Sequence, residues 1–266
     1  MPFVVYSEDN VTSMNIGGAL LAEGNFEEGG RISKYRHFSR GNVDAIALDK
    51  DMLSSDFLDS ILKTDLIIFV CSHSSSRGVA SFTVHYEGNW SNEAKLGGRP
   101  KELSVAAPEF GLALMMNLEK NNDTGLPVIY EATHHGPLLR TPSLFVEVGG
   151  TEKALESERY ARIVAKSVIE TVDGGVQEAC MKECVLGIGG LHYEDKFTRL
   201  ALGSGYAFSH MMARHHISEV GMLGQAAERS SVRPDKALIE WKSIRASDRE
   251  AVIAELNRVG IDYERI

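Results

Sequence analysis

Four short stretches hold the side chains best suited to chemistry: CSHSSSRG (71 to 78), TVHYEGN (83 to 89), EATHHGP (131 to 137) and GGLHYED (189 to 195). They supply His73, His85, His134, His135 and His192, most of them just after an apolar run. Two carboxylates, Glu131 in LPVIYEAT and Glu147 in SLFVEVG, interrupt runs that are otherwise apolar. A neutral imidazole can act as general base or as zinc ligand. A lone carboxylate in an apolar strand is costly unless a cation, a metal or a hydrogen-bond donor meets it. Spacing alone does not choose between base and ligand.

Other chemistries lack their signatures. There is no GxxxxGK[ST] loop, and GIGGLH (187 to 192) puts His192 where a dinucleotide fingerprint needs its third glycine. HExxH and the GxSxG elbow are absent. Cys71, Cys180 and Cys184 are odd in number, which argues against a disulfide framework and for a reducing compartment. Cys180 and Cys184 are spaced as on one helix face, and are read as inert thiols.

The elements that must position these residues follow from periodicity. β-branched runs alternate with helical patterns, the mark of βα units around a largely parallel sheet. Strands are predicted over 3 to 7, 44 to 49, 65 to 72, 81 to 87, 126 to 133, 143 to 149, 184 to 190 and 237 to 244. Helices are predicted over 51 to 63, 103 to 120, 218 to 229 and 247 to 258. The clearest follows Thr151, read as its N-cap, with Ala161, Val164, Ala165, Val168 and Val172 forming one apolar face. No linker or repeat divides the chain, so residues 1 to 266 read as one α/β domain.

Polar groups at strand ends are well placed, because open α/β sheets bind ligands in the crevice beyond the carboxyl ends. Alternation puts Ile67, Phe69, Cys71 and His73 on one side of their strand, and Thr83, His85 and Glu87 on one side of theirs. It also puts Glu131 and His135 on one side and turns His134 to the other. Glu147 arrives just before Gly149-Gly150 and a helix N-terminus, whose amides favour an anion. His210, His215 and His216 in SHMMARHH read as a packed segment.

With 43% hydrophobic residues the chain can bury a sizeable core, and no run approaches the roughly 18 to 20 apolar residues of a membrane span. With no signal-peptide pattern at its start, the expected setting is soluble and cytoplasmic. The net charge of −9 speaks against non-specific coating of nucleic acid, so a polyanion must meet a local basic patch. RISKYRHFSR (31 to 40), with Arg31, Lys34, Arg36 and Arg40, is the best candidate, otherwise a solvated loop.

CSHSSSRGVASFTVHYEGN (71 to 89), YEATHHGP (130 to 137) with FVEVGGTE (145 to 152), and GIGGLHYEDKFT (187 to 198) together resemble the archaeal and plant type of D-aminoacyl-tRNA deacylase. The resemblance implies hydrolysis of the ester between a D-amino acid, D-tyrosine among others, and the terminal adenosine of tRNA. It further implies a zinc requirement, a monomer, and an α/β/α sandwich akin in architecture to peptidyl-tRNA hydrolase and nucleoside phosphorylases. Those two activities are the alternatives on the same architecture; a non-catalytic RNA-binding module is disfavoured by the acidic charge and the lack of stacking-aromatic motifs.

For that reaction the candidate catalytic groups are His73, His135, Glu131 and His85. The candidate zinc ligands are His134, His135, His192 and Glu147. The glycine turns at 149 to 150 and 187 to 190 could donate amides to an oxyanion or phosphate. The acceptor end of tRNA would meet Arg77, Lys34, Arg36, Arg140, Gly149 and Gly150, with Arg99 and Lys101 as further cations.

Overall fold

The computed structural model describes residues 1 to 73 and 78 to 266. Its strands are β1 (Pro2–Ser7), β2 (Glu27–Ile32), β3 (Tyr35–Arg40), β4 (Val43–Leu48), β5 (Leu66–His73), β6 (Ser81–His85), β7 (Val128–Tyr130), β8 (Ser143–Gly149), β9 (Glu183–Ile188), β10 (Tyr206–Met212), β11 (Lys236–Ile239) and β12 (Asp262–Arg265). Eight of them form one mixed sheet in the order β2-β3-β4-β1-β5-β8-β6-β7; a smaller sheet has the order β10-β9-β11-β12. The heart of the large sheet is parallel, β4 with β1, β1 with β5, and β5 with β8. The fold class is the expected α/β with a mostly parallel, mixed sheet.

Strand alternation gives each face of the large sheet its own core. Val4, Ile68, Val70, Val84, Val146 and Val148 pack beneath the helices Val11–Glu23, Pro108–Asn121 and Glu158–Glu170. Phe3, Val5, Ile67, Phe69 and Phe145 face the other way, against Met52, Leu58, Leu62 and Leu139. Burying each such side chain contributes about 1.5 to 3 kcal/mol. The smaller sheet shares the first core through Val185, Phe208, Met211 and Leu238, and forms its own around Leu186, Ile188, Val252 and Leu256.

Several expectations need correction. The predicted single sheet is split in two. β7 stops at Tyr130, and the segment after it meets the small-sheet side through the isolated bridge between Glu131 and Tyr193 and single backbone bonds, without becoming a strand of it. Thr151 does not cap the amphipathic helix. A single turn, Glu152–Leu155, follows it, and the long helix starts at Glu158 beneath Ser157, whose hydroxyl accepts from the Tyr160 amide. The 51 to 63 pattern yields only the turn Leu58–Ile61. Cys184 lies in β9 and Cys180 before it, not on one helix face.

The helix Val11–Glu23 escaped notice because Gly17 and Gly18 interrupt its pattern. Yet Gly17 is what lets it dock, since a Cβ there would come within 2.5 Å of the Tyr6 ring. RISKYRHFSR is not a loop but most of the β2–β3 hairpin. β2 is exposed or nearly so throughout, and so lacks the apolar alternation that reveals a strand.

Candidate active site

Strand register gathers the reactive residues. Cys71 and Thr83 both pair with Glu147, His73 pairs with Gly149, and His85 pairs with Phe145. Paired residues share a face, so His73, Glu147, Thr83 and His85 lie on the face that carries Phe69 and Phe145. That face is apolar at one end and polar at the other, and the His85 ring stacks on Phe145 with centroids 5.2 Å apart. Because β6 runs antiparallel to β8, His85 sits over the sheet and not beyond its edge.

EATHHGP is the seam between the two sheets. Glu131 N donates to Val84 O of the large sheet, while Ala132 N donates to His192 O and Thr133 N to Met211 O on the small-sheet side. His134 N then returns to Tyr86 O, and Gly88 N donates to His135 O. The backbone is therefore not a strand here, and His135 adopts φ +40, a left-handed conformation that costs a non-glycine residue energy and tends to persist at functional sites. The expected separation of His134 from Glu131 and His135 fails for this reason. The two imidazoles lie 4.4 Å apart by centroid, and His134 Nε2 is 3.7 Å from Glu131 Oε2.

The result is a cluster of five imidazoles and two carboxylates, buried at Glu131, Glu147 and His85 and opening toward solvent at His192, whose side chain is 38% exposed. His73 Nδ1 is 3.2 Å from Glu131 Oε1 and 3.4 Å from Glu147 Oε2; His85 Nε2 is 3.5 Å from the same Glu147 oxygen. His192 Nε2 is 3.6 Å from Glu131 Oε2. The His85 ring lies 4.2 Å from that of His134 and 4.8 Å from that of His135. On its far side, His73 Nε2 lies 2.7 Å from the Tyr193 hydroxyl, so that a sequence-silent tyrosine joins the cluster. Thr83 is a second such residue, its hydroxyl buried without a partner. Only its place beside His85 in the alternation pointed to it.

Burial sets the protonation states. It pushes His134 well below the usual imidazole range, helped by His85, His135 and His192. It takes His135 to about 4 with His85 adding to the effect, and His192 to about 4 with His85, His73 and His215 contributing. Burial and the neighbouring Glu147 raise Glu131 well above the carboxylate range. Burial pushes Glu147 up too, but the His73 and His85 imidazoles override it and hold Glu147 low.

Whether these residues suit a metal can be tested on their hydrogen bonds. His134 Nδ1 lies 2.8 Å from Ala132 O, and His135 Nδ1 2.6 Å from Gly136 O. A carbonyl only accepts, so each Nδ1 carries the proton and each Nε2 presents a lone pair. The Nε2 of His134 thus faces a carboxylate oxygen, lone pair to lone pair. Both oxygens of Glu131, Oε2 of Glu147 and Nε2 of His85 are sealed from solvent without a hydrogen-bond partner. A cation between them resolves both defects, and carbonyl-held imidazoles are the usual outer support of zinc ligands.

The cluster fits a cation in three overlapping ways. Among the described residues, the donor atoms of His85, His134 and His135, of His73, Glu131 and His192, and of His85, Glu131 and Glu147 each lie within 4.8 Å of one another. All the residues expected to be catalytic or zinc-ligating are therefore in one place, with His73, His85 and Glu131 as close to the convergence as the four expected ligands.

The expected RNA contacts are scattered. Arg77 lies outside the described residues. Lys34 is paired with Asp49 at 2.7 Å, Arg36 with Glu8, and Lys101 with Glu219 at 2.8 Å. The tip of the β2–β3 hairpin does stand at the end of the sheet where β5 and β8 finish, but three strands from β5, about 14 Å at the usual strand spacing. Arg140 is exposed just before β8, at the opposite end of that strand from Gly149 and Gly150. The Gly189 and Gly190 amides are already engaged, by Met212 O and Ser243 Oγ, and are not free oxyanion donors.

Fold and site together define an α/β protein built around a buried imidazole–carboxylate centre between two sheets. The D-aminoacyl-tRNA deacylase family model matches residues 61 to 264, and the chain belongs to that family. It is 31% identical to a D-aminoacyl-tRNA deacylase of Thermococcus kodakarensis over the full length of both chains. It is 34% identical to one from Methanocaldococcus jannaschii over 84% of this chain and 90% of that one. The crystal structure of a conserved protein of unknown function superposes with a TM-score of 0.90 at 25% identity, covering 100% of this chain and 95% of that one. The phosphorylase and peptidyl-tRNA hydrolase alternatives are not favoured by these relatives.

Proposed function

We infer that the chain hydrolyses the ester joining a D-amino acid, D-tyrosine among others, to the terminal adenosine of tRNA, with zinc held in the imidazole–carboxylate cluster. Membership of the deacylase family supports the reaction. The convergence of partnerless oxygens and imidazole lone pairs on one buried point carries the assignment of site and metal. The same reading takes the protein as a cytoplasmic monomer of one domain; among the described residues no helix is long and apolar enough to cross a membrane.

An aminoacyl ester is already activated, so a positioned water, a base and a stabiliser for the oxyanion suffice. A thiol nucleophile is not called for. Burial raises the Cys184 thiol to about 12 and Cys71 higher still, far from a reactive thiolate. His73 is the base. Its Nδ1 faces Glu131 and Glu147, and its Nε2 reaches the Tyr193 hydroxyl, the arrangement by which a carboxylate fixes an imidazole tautomer and steadies its protonated form. His134 and His135, their Nδ1 protons tied to carbonyls, would hold the metal through Nε2 together with His85. Zinc bound there would lower the pKa of a water and polarise the ester carbonyl. Glu147, held ionised, orients His73 and His85.

The deciding experiment is release of amino acid from D-tyrosyl-tRNA and from L-tyrosyl-tRNA, with and without a chelator. Fast release from the D ester alone, abolished by the chelator and restored by zinc, is expected. Equal rates on both enantiomers would defeat the reading, and indifference to the chelator would remove the metal from it.

A further inference from the structure

The 3-10 turns of Arg214–Met222, interrupted at Glu219, and the helix Ala246–Val259 border a cavity of about 630 Å³ at the end of the smaller sheet. Arg214, His215, Ser218, Ser243, Arg245 and Asp248 line it, together with two isoleucines. We propose that this cavity is a phosphodiester subsite, and that it receives the phosphate of the 3′-terminal nucleotide of the tRNA while the ester lies in the imidazole–carboxylate cluster. The proposal rests on the deacylase reading above.

Charge singles out the place. In a chain of net charge −9, most of the cations first considered for RNA are neutralised by a carboxylate, Lys34 by Asp49, Arg36 by Glu8, Lys101 by Glu219, Arg40 by Asp173 and Arg99 by Glu102. Arg214 and Arg245 are both exposed, both line the cavity, and have no carboxylate within 4.0 Å among the described residues. Asp248, the one acid in the wall, accepts from Ser247 Oγ. A planar guanidinium matches two phosphate oxygens at once, and two of them set in one concavity form a phosphate clamp. The helix that starts at Ala246 has no side-chain cap, so although the Asp248 amide is bonded to Arg245 O, the amides of Ala246 and Ser247 are left for an anion as well.

Connection to the reactive centre is short and rigid. Gly190 N donates to Ser243 Oγ at 2.8 Å, and Arg214 N donates to Gly190 O at 3.2 Å. Two residues beyond Gly190 comes His192, which stands 3.6 Å from Glu131. The loop from Gly189 to His192 thus links the two, bonded at Gly190 to Ser243 and Arg214 of the cavity wall and reaching the cluster through His192. The scissile ester is borne by the ribose of the terminal nucleotide, whose own phosphate must fall within one nucleotide's length. The cavity's volume is within the 300 to 1,000 Å³ usual for small-molecule sites.

The test uses Arg214→Ala, Arg245→Ala and the double variant, with two substrates: D-tyrosyl-tRNA and the phosphate-free ester D-tyrosyl-adenosine. Both arginines are exposed, so thermal melts should match the wild type. For each single variant KM for the tRNA should rise about 10- to 100-fold with kcat kept, as for loss of a charge-assisted hydrogen bond. Hydrolysis of D-tyrosyl-adenosine should not change. Equal losses on both esters, or none on either, overturn the subsite. Fluorescence anisotropy with uncharged tRNA separates this idea from the reaction itself. Weaker binding by the variants upholds the subsite even if no ester is cleaved, and unchanged binding beside normal deacylation refutes it alone.

Discussion

Glu131 and Glu147, from different parts of the chain, aim carboxylates at a single nitrogen, Nδ1 of His73, at 3.2 and 3.4 Å. Both are buried, at 0% and 3% exposure, so two negative charges there are tolerated only with a proton or a cation between them. Glu131→Gln should therefore stabilise the metal-free protein by about 1 to 3 kcal/mol, the scale of an unsatisfied buried group. It should also lower kcat roughly 10²- to 10⁴-fold. Urea denaturation in the presence of a chelator and single-turnover deacylation measure the two effects. A variant that is less stable yet fully active would contradict the arrangement.

Zinc should reverse the order of stabilities. A ligand that binds only the folded state at a hundred times its Kd adds about 2.7 kcal/mol. The wild type should show a rise in melting temperature on adding zinc, and His134→Ala and Glu131→Gln should show a much smaller one. Magnesium in place of zinc should do little, because imidazole-rich donor sets favour the softer ion. Equal shifts with both metals would mean a different kind of site.

His210 predicts a pH effect that owes nothing to the cluster. Burial lowers it to about 4, while its Nε2 lies near Ser104 O and Arg229 O and its Nδ1 near Thr133 Oγ1. The folded protein keeps this ring neutral where the unfolded chain, with a pKa near 6.5, would bind a proton. Its contribution is complete above about pH 6.5 and is lost as pH falls toward 4, to a total of roughly 3 kcal/mol. Denaturation midpoints of the wild type and of His210→Gln should converge between pH 7 and pH 4.5. A constant gap between them would count against this.

Much of the site could be read from period and composition. Alternation in β5 and β6 placed His73 and His85 correctly because both strands are regular and their apolar residues are buried, Ile67 and Phe69 on one side of the sheet and Phe82 and Val84 on the other. It failed at EATHHGP, where the backbone bonds first to one sheet, then to the other and back, and the two-residue period has no strand to run along. Of strand β10, YAFSHMM, the sequence picks out only the end, as the start of the packed segment SHMMARHH. Its serine, histidine and methionines have little strand propensity, and burial on both sides holds it in place. Arg214 and Arg245 are 31 residues apart in sequence, and nothing short of the fold shows that they share a cavity.

Glu87 gives the opposite pH signature. It is fully buried, Ser143 Oγ donates to one of its oxygens at 3.1 Å, and the other has no partner. Burial raises its pKa to about 8. The unfolded chain releases this proton near pH 4.5, so the folded state is penalised progressively as pH rises from about 4.5 to 8. Glu87→Gln keeps the hydrogen bond from Ser143 and removes that penalty. It should gain roughly 2 to 3 kcal/mol at pH 7 and nothing below pH 4, seen as a pH-dependent difference in urea midpoints. A loss of stability at pH 7 would show that the carboxylate is ionised and satisfied there.

Binding of tRNA should respond weakly to salt for a nucleic-acid enzyme. With Lys34, Arg36 and Arg40 of the β2–β3 hairpin already paired to acids and two free arginines in the cavity, few phosphates can be neutralised. A logarithmic plot of affinity against salt concentration should have a slope equivalent to roughly two to five phosphate contacts. The double variant of Arg214 and Arg245 should lower that slope by about two contacts, whereas Lys34→Ala should barely alter it. A wild-type slope near ten contacts would mean that the RNA lies across a wide basic surface, which the ion pairs of this acidic chain do not offer.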